Sequence, residues 1–133
     1  MPPLARRWTG RSLSTMAVLF LLFDAVIKFF RIPAVSEAFG QLGYPMTLAV
    51  TIGIIEVVCL VLYIWPRTSL LGALLWTGYL GGAIATHVRV GNPLFSDVLF
   101  PIYVAAFLWG GLYLRNEDLR VFLNLQISKS RNL

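Results

Sequence analysis

Charged side chains are scarce in this sequence, and histidine and cysteine occur once each. Asp, Glu, Lys and Arg together make up 13% of the chain, whereas a soluble domain carries roughly 25%. One cysteine, Cys59, excludes an intramolecular disulfide and argues against a two-cysteine redox relay. One histidine, His87, cannot form a metal cluster of recognisable spacing. Motifs for nucleotide binding, nucleophile elbows and zinc proteases are missing as well.

Apolar residues, in contrast, are abundant: they make up 58% of the chain, and its mean hydropathy is +0.77. Membrane-spanning helices need roughly 20 apolar residues, with a range of about 17–25. The chain has four such segments: 13–30, 46–65, 69–88 and 98–114. Strands are not expected, because lipid leaves an open sheet edge without hydrogen-bond partners. We therefore predict an all-α integral membrane protein, folded as one antiparallel four-helix bundle over residues 1–133.

The first apolar segment follows three arginines and so resembles a secretory signal. Asp24 and Lys28 interrupt its far end, and no small-residue cleavage site follows. We interpret the segment as a retained helix.

Basic residues predict the orientation of the helices. They are concentrated before the first segment, at Arg67 between the second and third, and after the fourth. By the positive-inside tendency, the tails 1–12 and 115–133 and the turn at Arg67 are cytoplasmic in a multi-pass protein of the plasma membrane. The net charge of +5 then favours anionic lipid headgroups as partners, and not nucleic acid.

Ionisable residues inside the segments cluster toward the outer side of the membrane in this topology. Asp24 lies ~9 Å below the outer boundary and Glu56 ~15 Å deep, at ~1.5 Å per helical residue. The third segment carries His87 and Arg89 to the outer rim. A charge at the bilayer centre costs about 2.5–3.5 kcal/mol, so these groups should face the protein interior. We predict a polar pocket in the outer half of the bundle.

Within that pocket, several pairings are open. Asp24 and Lys28 are four residues apart and can pair on one helix face, as a structural ion pair or as part of a site. Glu56 either reaches Lys28, His87 or Arg89 on another helix or stays protonated. A neutral Glu56 hydrogen-bonded to a carbonyl or to Tyr79 would be purely structural.

Two further patterns concern the third segment and the loop before the second. Tyr79, Ala83 and His87 recur every four residues and should share one face. Beside them, the row Gly78, Gly82 and Thr86 predicts the close approach of another helix. The loop "RIPAVSEAFGQLGYP" is long for neighbouring helices, and its aromatic residues indicate a short amphipathic lid over the pocket mouth.

Several stretches together resemble the DoxX-like family of small four-helix membrane proteins, from about Phe23 to Arg120. They are the Gly-Tyr-Pro turn at 43–45, Glu56 in the middle of its helix, the Pro66-Arg67 turn, and "GYLGGAIATHVR". Asp24 and Lys28 match the usual aspartate and lysine of the family's first helix. The resemblance implies a single four-helix bundle.

The resemblance also links the chain to small subunits of a membrane thiosulfate:quinone oxidoreductase, the founding relatives. This sequence has neither a cysteine pair nor a pair of haem ligands with which to carry electrons alone. Quinone chemistry is therefore not transferred with the fold. We predict no cofactor and consider a quinone a candidate ligand.

Three functions of different classes remain. The first is binding of a lipophilic small molecule in the pocket, extended in a membrane enzyme to cofactor-independent acid–base chemistry such as isomerisation, hydration or epoxide opening. The second is a quinone- or lipid-binding accessory subunit of a partner oxidoreductase, and the third is a structural subunit or homo-oligomer. For an enzyme, the candidate catalytic residues are Glu56, Asp24 and His87, and the candidate substrate-binding residues are Lys28, Arg89, Tyr79 and Tyr44.

Overall fold

Helices account for nearly all of the chain in the computed structural model, which describes residues 2–132. Within that range there is no strand, which confirms the all-α prediction. Six α-helices and one π-helical segment follow each other: α1 (Pro3–Phe30), α2 (Pro33–Leu42), α3 (Leu48–Ile64), α4 (Ser69–Arg89), the π-helical segment Leu94–Val98, α5 (Phe100–Arg115) and α6 (Glu117–Arg131).

Among residues 2–132, three stretches are long and apolar enough to cross a membrane. They are α1 with 28 residues, α4 with 21, and the 22-residue stretch formed by the π-helical segment and α5. The fourth apolar helix, α3, has 17 residues, which is at the lower end of the range of about 17–25 residues for a span. These lengths and compositions are those of a membrane protein.

The ends of the helices follow local signals. Proline at the first helical position starts α1 and α2, because proline has no N–H to leave unpaired and its φ already suits a helix. Arg31 and Gly43 end the same two helices in the left-handed conformation, with φ of 49° and 74°. At α6 the Asn116 side chain accepts a hydrogen bond from the Leu119 backbone N–H at 3.0 Å.

α1 packs against both α3 and α5, and α4 packs against the same two helices. The α1–α5 contact is very close, since a Cβ added at Gly111 would lie 2.7 Å from the backbone nitrogen of Ser14. Trp76, Leu108 and Leu112 are fully buried in the core between the helices. The core therefore separates the two ends of the molecule.

At one end, which we call the basic end, the start of α1 meets the ends of α3 and α5. Arg7 lies 3.7 Å from Glu117 at the start of α6, and Arg115 donates to the Tyr63 carbonyl at 3.3 Å. Tyr63 is fully buried, and its hydroxyl joins Ser14 on α1 to the Leu108 carbonyl on α5, at 2.9 and 2.7 Å.

At the other end, the cavity end, α2 lies against the end of α4. The Tyr44 hydroxyl is hydrogen-bonded to Thr86 at 2.9 Å. Phe39 of α2 is buried, with a relative exposure of 6%. The loop before α3 is therefore a folded helix held on the rest of the molecule.

The prediction that the row Gly78, Gly82 and Thr86 brings another helix close is wrong within residues 2–132. A Cβ added at Gly78 or Gly82 would meet no atom within 4 Å. The close helix approach occurs instead between α1 and α5, where Gly10 and Gly111 face each other.

Candidate functional site

A cavity of about 340 Å³ lies at the cavity end. Most of its wall is apolar, contributed by side chains such as Phe20, Leu80 and Val104 from α1, α4 and α5. The polar side chains that line it are Asp24, Lys28, Tyr44, Tyr79, Thr86 and His87. The cavity is therefore a largely apolar space with its polar groups supplied by three elements.

Helical spacing places these groups on the cavity wall. On α1, Leu21, Asp24 and Lys28 lie three and four residues apart, so they share one face. On α4, Tyr79, Ala83 and His87 follow at intervals of four and all line the cavity, as the sequence predicts.

Lys28 is the centre of the polar cluster. Its Nζ lies 2.5 Å from an Asp24 carboxylate oxygen, one turn earlier on α1, and 2.8 Å from Glu56 Oε1 on α3. Lys28 is 8% exposed and Glu56 is 0% exposed. The predicted Asp24–Lys28 pair is thus present, and of the three basic partners left open for Glu56, Lys28 is the one that the structure gives it.

Tyr79 supplies a second partner for Glu56. Its hydroxyl donates a hydrogen bond to Glu56 Oε1 from α4, and its ring packs edge-on against buried Trp76 with centroids 5.3 Å apart. The hydrogen bonds from Lys28 and Tyr79 both go to Glu56 Oε1. The other carboxylate oxygen, Oε2, has no hydrogen-bond partner among residues 2–132. A buried acceptor without a partner costs about 1–3 kcal/mol, so this side chain is an expensive feature of the fold.

Charge counting shows what the cluster can do. Two carboxylates, Asp24 and Glu56, face one ammonium, so the fully ionised cluster carries one excess negative charge. Uncompensated charge is costly in low dielectric, and one added proton would make the cluster neutral. The carboxylates of the cluster therefore outnumber its cation.

Glu56 is not itself part of the cavity wall. It contacts the wall through Lys28 and Tyr79, both of which line the cavity. A molecule in the cavity would accordingly touch Asp24, Lys28 and Tyr79, with Glu56 behind them.

α2 covers one side of the cavity through Ala38, Phe39 and Leu42. Two contacts with α4 hold its C-terminal end: the Tyr44–Thr86 hydrogen bond, and an Arg89 guanidinium that donates to the Leu42 carbonyl. The last carbonyls of a helix have no partner within the helix, so the Arg89 guanidinium satisfies one of them. Its positive charge also interacts favourably with the negative end of the helix dipole. The connection therefore has the position of a lid.

His87 and Arg89 have separate places at the end of α4. His87 is half-buried, lines the cavity and has its Nδ1 2.7 Å from the Asn92 side-chain nitrogen. Arg89 is exposed and lies outside the cavity wall, on the end of α2. Neither is hydrogen-bonded to Asp24, Lys28 or Glu56 within residues 2–132.

Of the predicted site residues, the structure thus brings five to the cavity wall, one behind it and one to the lid: Asp24, Lys28, Tyr44, Tyr79 and His87, then Glu56, then Arg89. Sequence reasoning missed Thr86 and Asn92 as partners. Phe39, one of the two aromatic residues on which the lid prediction rests, lines the cavity. Thr86 and Asn92 carried no signal, because their partners lie on the end of another element or in a turn.

Residues 2–132 contain no group of three His, Cys, Asp or Glu side chains that could hold a metal ion.

A sequence model of the DoxX-like family matches residues 12–111. The chain belongs to the DoxX-like family. The matched range contains all seven predicted site residues of this DoxX-like protein and ends before α6. No curated protein and no solved structure matches the chain.

Proposed function

We propose that the cavity of this DoxX-like protein binds a lipophilic small molecule with one polar group, the polar group meeting Lys28, Asp24 and Tyr79. One observation carries the proposal: a three-residue charged cluster lies beside a largely apolar cavity. Ionisable residues inside membrane segments are rare and mark ligand or ion sites by default.

The hydrogen-bonding capacity of the cluster indicates the chemistry of the ligand. Lys28 has three N–H donors, and two of them point at carboxylates at 2.5 and 2.8 Å. The third donates to the Asp24 backbone carbonyl, with 3.4 Å between Nζ and the oxygen. This is the longest of the three bonds, and it is the one that a ligand acceptor would replace. Asp24, with 37% of its side chain exposed, can accept from one. A carbonyl or hydroxyl group on an apolar body fits, and quinones belong to this class.

The volume supports a small ligand. Drug-sized ligands occupy pockets of roughly 300–1,000 Å³, and this cavity, at about 340 Å³, is near the lower limit. A whole phospholipid does not fit it, although one acyl chain or a quinone ring does.

Acid–base chemistry on the bound molecule is the second candidate. Asp24 and Tyr79 line the cavity and can exchange protons with a ligand, while Glu56 exchanges them through Lys28 or Tyr79. Glu56→Gln keeps the shape and removes the proton chemistry. If that variant binds the ligand and turns it over at the wild-type rate, the catalytic proposal fails and binding survives. Co-purification with a flavoprotein or haem protein would instead favour an accessory subunit.

Ala83 provides the test of binding. It lies on the cavity wall, so Ala83→Phe fills the cavity, whereas Ala85→Phe places the same side chain on the exposed face of α4. Organic extracts of the purified proteins are compared by mass spectrometry. We expect a compound retained by the wild type and Ala85→Phe and absent from Ala83→Phe. Identical extracts from folded Ala83→Phe and Ala85→Phe would contradict the proposal and leave a structural subunit.

We also propose that the chain crosses the plasma membrane four times as an antiparallel four-helix bundle, with both termini in the cytoplasm. The basic end carries most of the positive charge outside the apolar stretches, which supports a cytoplasmic location for it. The cavity then opens in the outer half of the membrane. A cysteine introduced at Thr68, beside Arg67, should react with a membrane-impermeant reagent from the cytoplasmic side only; labelling from outside would reverse the topology.

A further inference from the structure

We propose a second binding site, at the basic end, that takes the phosphate headgroup and one acyl chain of an anionic phospholipid. The site is a cavity of about 420 Å³ between α1, α3 and α5. Arg11 and Arg115 line it together with Trp8, Val18 and Ile64. It is separated from the first cavity by the buried core and does not depend on what that cavity binds.

Two guanidinium groups without acidic partners provide the charge. Within residues 2–132, no carboxylate lies within 4.0 Å of Arg11 or Arg115, whereas Arg7 at the same end pairs with Glu117 at 3.7 Å. The Nε of Arg115 is buried and has no hydrogen-bond partner in that range. Two positive charges on one cavity, with no carboxylate of residues 2–132 beside them, call for an anion from outside the chain.

Arg115 is held in place by neutral groups only. Its guanidinium lies over the Tyr63 ring at 5.1 Å and donates to the Tyr63 carbonyl and Ser69 Oγ at 3.3 and 3.5 Å. These contacts fix the direction of the planar group and leave its charge uncompensated. Guanidinium groups fixed in this way suit the oxygens of a phosphate.

The remaining wall distinguishes a lipid from a free phosphate. Val18, Leu19 and Ile64 continue from the arginines along the apolar stretches of α1 and α3, and Leu19 and Ile64 are 61% and 54% exposed. A free anion gains nothing from such a surface, whereas an acyl chain is in contact with it as soon as the headgroup meets the arginines. Trp8 lies beside Arg11, with 5.6 Å from the guanidinium to its ring, as aromatic residues do at the headgroup level.

Native mass spectrometry of the detergent-solubilised chain tests the site. The protein is mixed with equal amounts of phosphatidylglycerol and phosphatidylcholine of the same acyl chains, so only the headgroup charge differs. We expect the first bound phosphatidylglycerol to be preferred by at least about tenfold. Arg11→Gln/Arg115→Gln should lose that preference, while Arg67→Gln/Arg131→Gln, which removes the same charge from exposed positions outside this cavity, should keep it.

Arg11→Gln alone guards against a folding defect, because the Arg11 side chain makes no hydrogen bond within residues 2–132 and its loss leaves the Arg115 contacts intact. It should lower the preference about severalfold. An equal loss of the phosphatidylglycerol preference in Arg11→Gln/Arg115→Gln and in Arg67→Gln/Arg131→Gln would overturn the proposal. The preference would then depend on total positive charge and not on this cavity. Displacement of the lipid by millimolar inorganic phosphate or glycerol phosphate would overturn the proposal too, because the acyl chain would then contribute nothing.

Discussion

Replacing Lys28 with methionine tests whether the polar cluster is one electrostatic unit. The change keeps an unbranched side chain on α1 and removes the only cation that contacts Glu56 among residues 2–132. Glu56 is 0% exposed, so water cannot replace the lost partner. Breaking a buried ion pair by removing one member costs about 3–5 kcal/mol. The pair with Asp24, whose side chain is 37% exposed, adds about 0–1 kcal/mol.

The partner substitution Glu56→Gln completes a double-mutant cycle. The glutamine amide in the double variant needs no cation and can still accept the hydrogen bond from Tyr79. We therefore expect Lys28→Met to lower the free energy of unfolding by about 3–5 kcal/mol, and the added Glu56→Gln to restore about 2 kcal/mol of it. Unfolding is followed by circular dichroism as SDS is titrated into detergent micelles.

Lys129→Met is the matched control, because Lys129 is exposed on α6 and makes no ion pair in the described chain. It should change the free energy by about 0.5 kcal/mol or less. A loss of less than about 1 kcal/mol in Lys28→Met, or effects that simply add in the double variant, would refute the reasoning.

Two further predictions concern helix packing and the lid. Gly111→Ala places its Cβ against Ser14 Oγ and 2.7 Å from the Ser14 backbone nitrogen, so SDS unfolding should show a loss of about 1–3 kcal/mol; Gly110→Ala meets its nearest atom at 3.9 Å and should cost much less, and equal losses would contradict the α1–α5 contact. Arg89→Gln removes the guanidinium from the end of α2, so amide hydrogen exchange in Pro33–Leu42 should become faster while exchange in the core helices is unchanged; unaltered exchange in α2 would show that the contact does not hold the lid.

Much of the fold was predictable, because apolar length and helical spacing are properties of the sequence alone. The apolar runs marked α1, α3, α4 and α5, and the four-residue spacing of Asp24 and Lys28 predicted their contact. The tail helix α6 was missed, although Asn116 followed by two acidic residues is a helix-start signal. The amphipathic lid before α3 could be predicted from the length of the loop and its aromatic residues alone.

Contacts between helices were harder to predict from the sequence. Spacing indicates that a face of small residues can be approached, and not which helix approaches it. The row containing Gly78 and Gly82 was therefore predicted to pack, whereas Gly10 and Gly111, far apart in sequence, make the actual close contact. For the same reason three basic partners on other helices were open for Glu56, with Tyr79 as a neutral alternative. Only the packing of α1 and α4 on α3 selects Lys28 and Tyr79.

Photo-crosslinking from Phe20 tests the central claim most directly, since it reports on what lies in the cavity. Phe20 lines the cavity, and Phe23, on the same helix, is 64% exposed and does not. Benzoylphenylalanine is introduced at either position, the cells are irradiated, and the mass added to the purified chain is measured. We predict one defined small-molecule adduct at position 20 and only bulk phospholipid at position 23. The same phospholipid adducts at both positions would contradict a ligand-binding cavity.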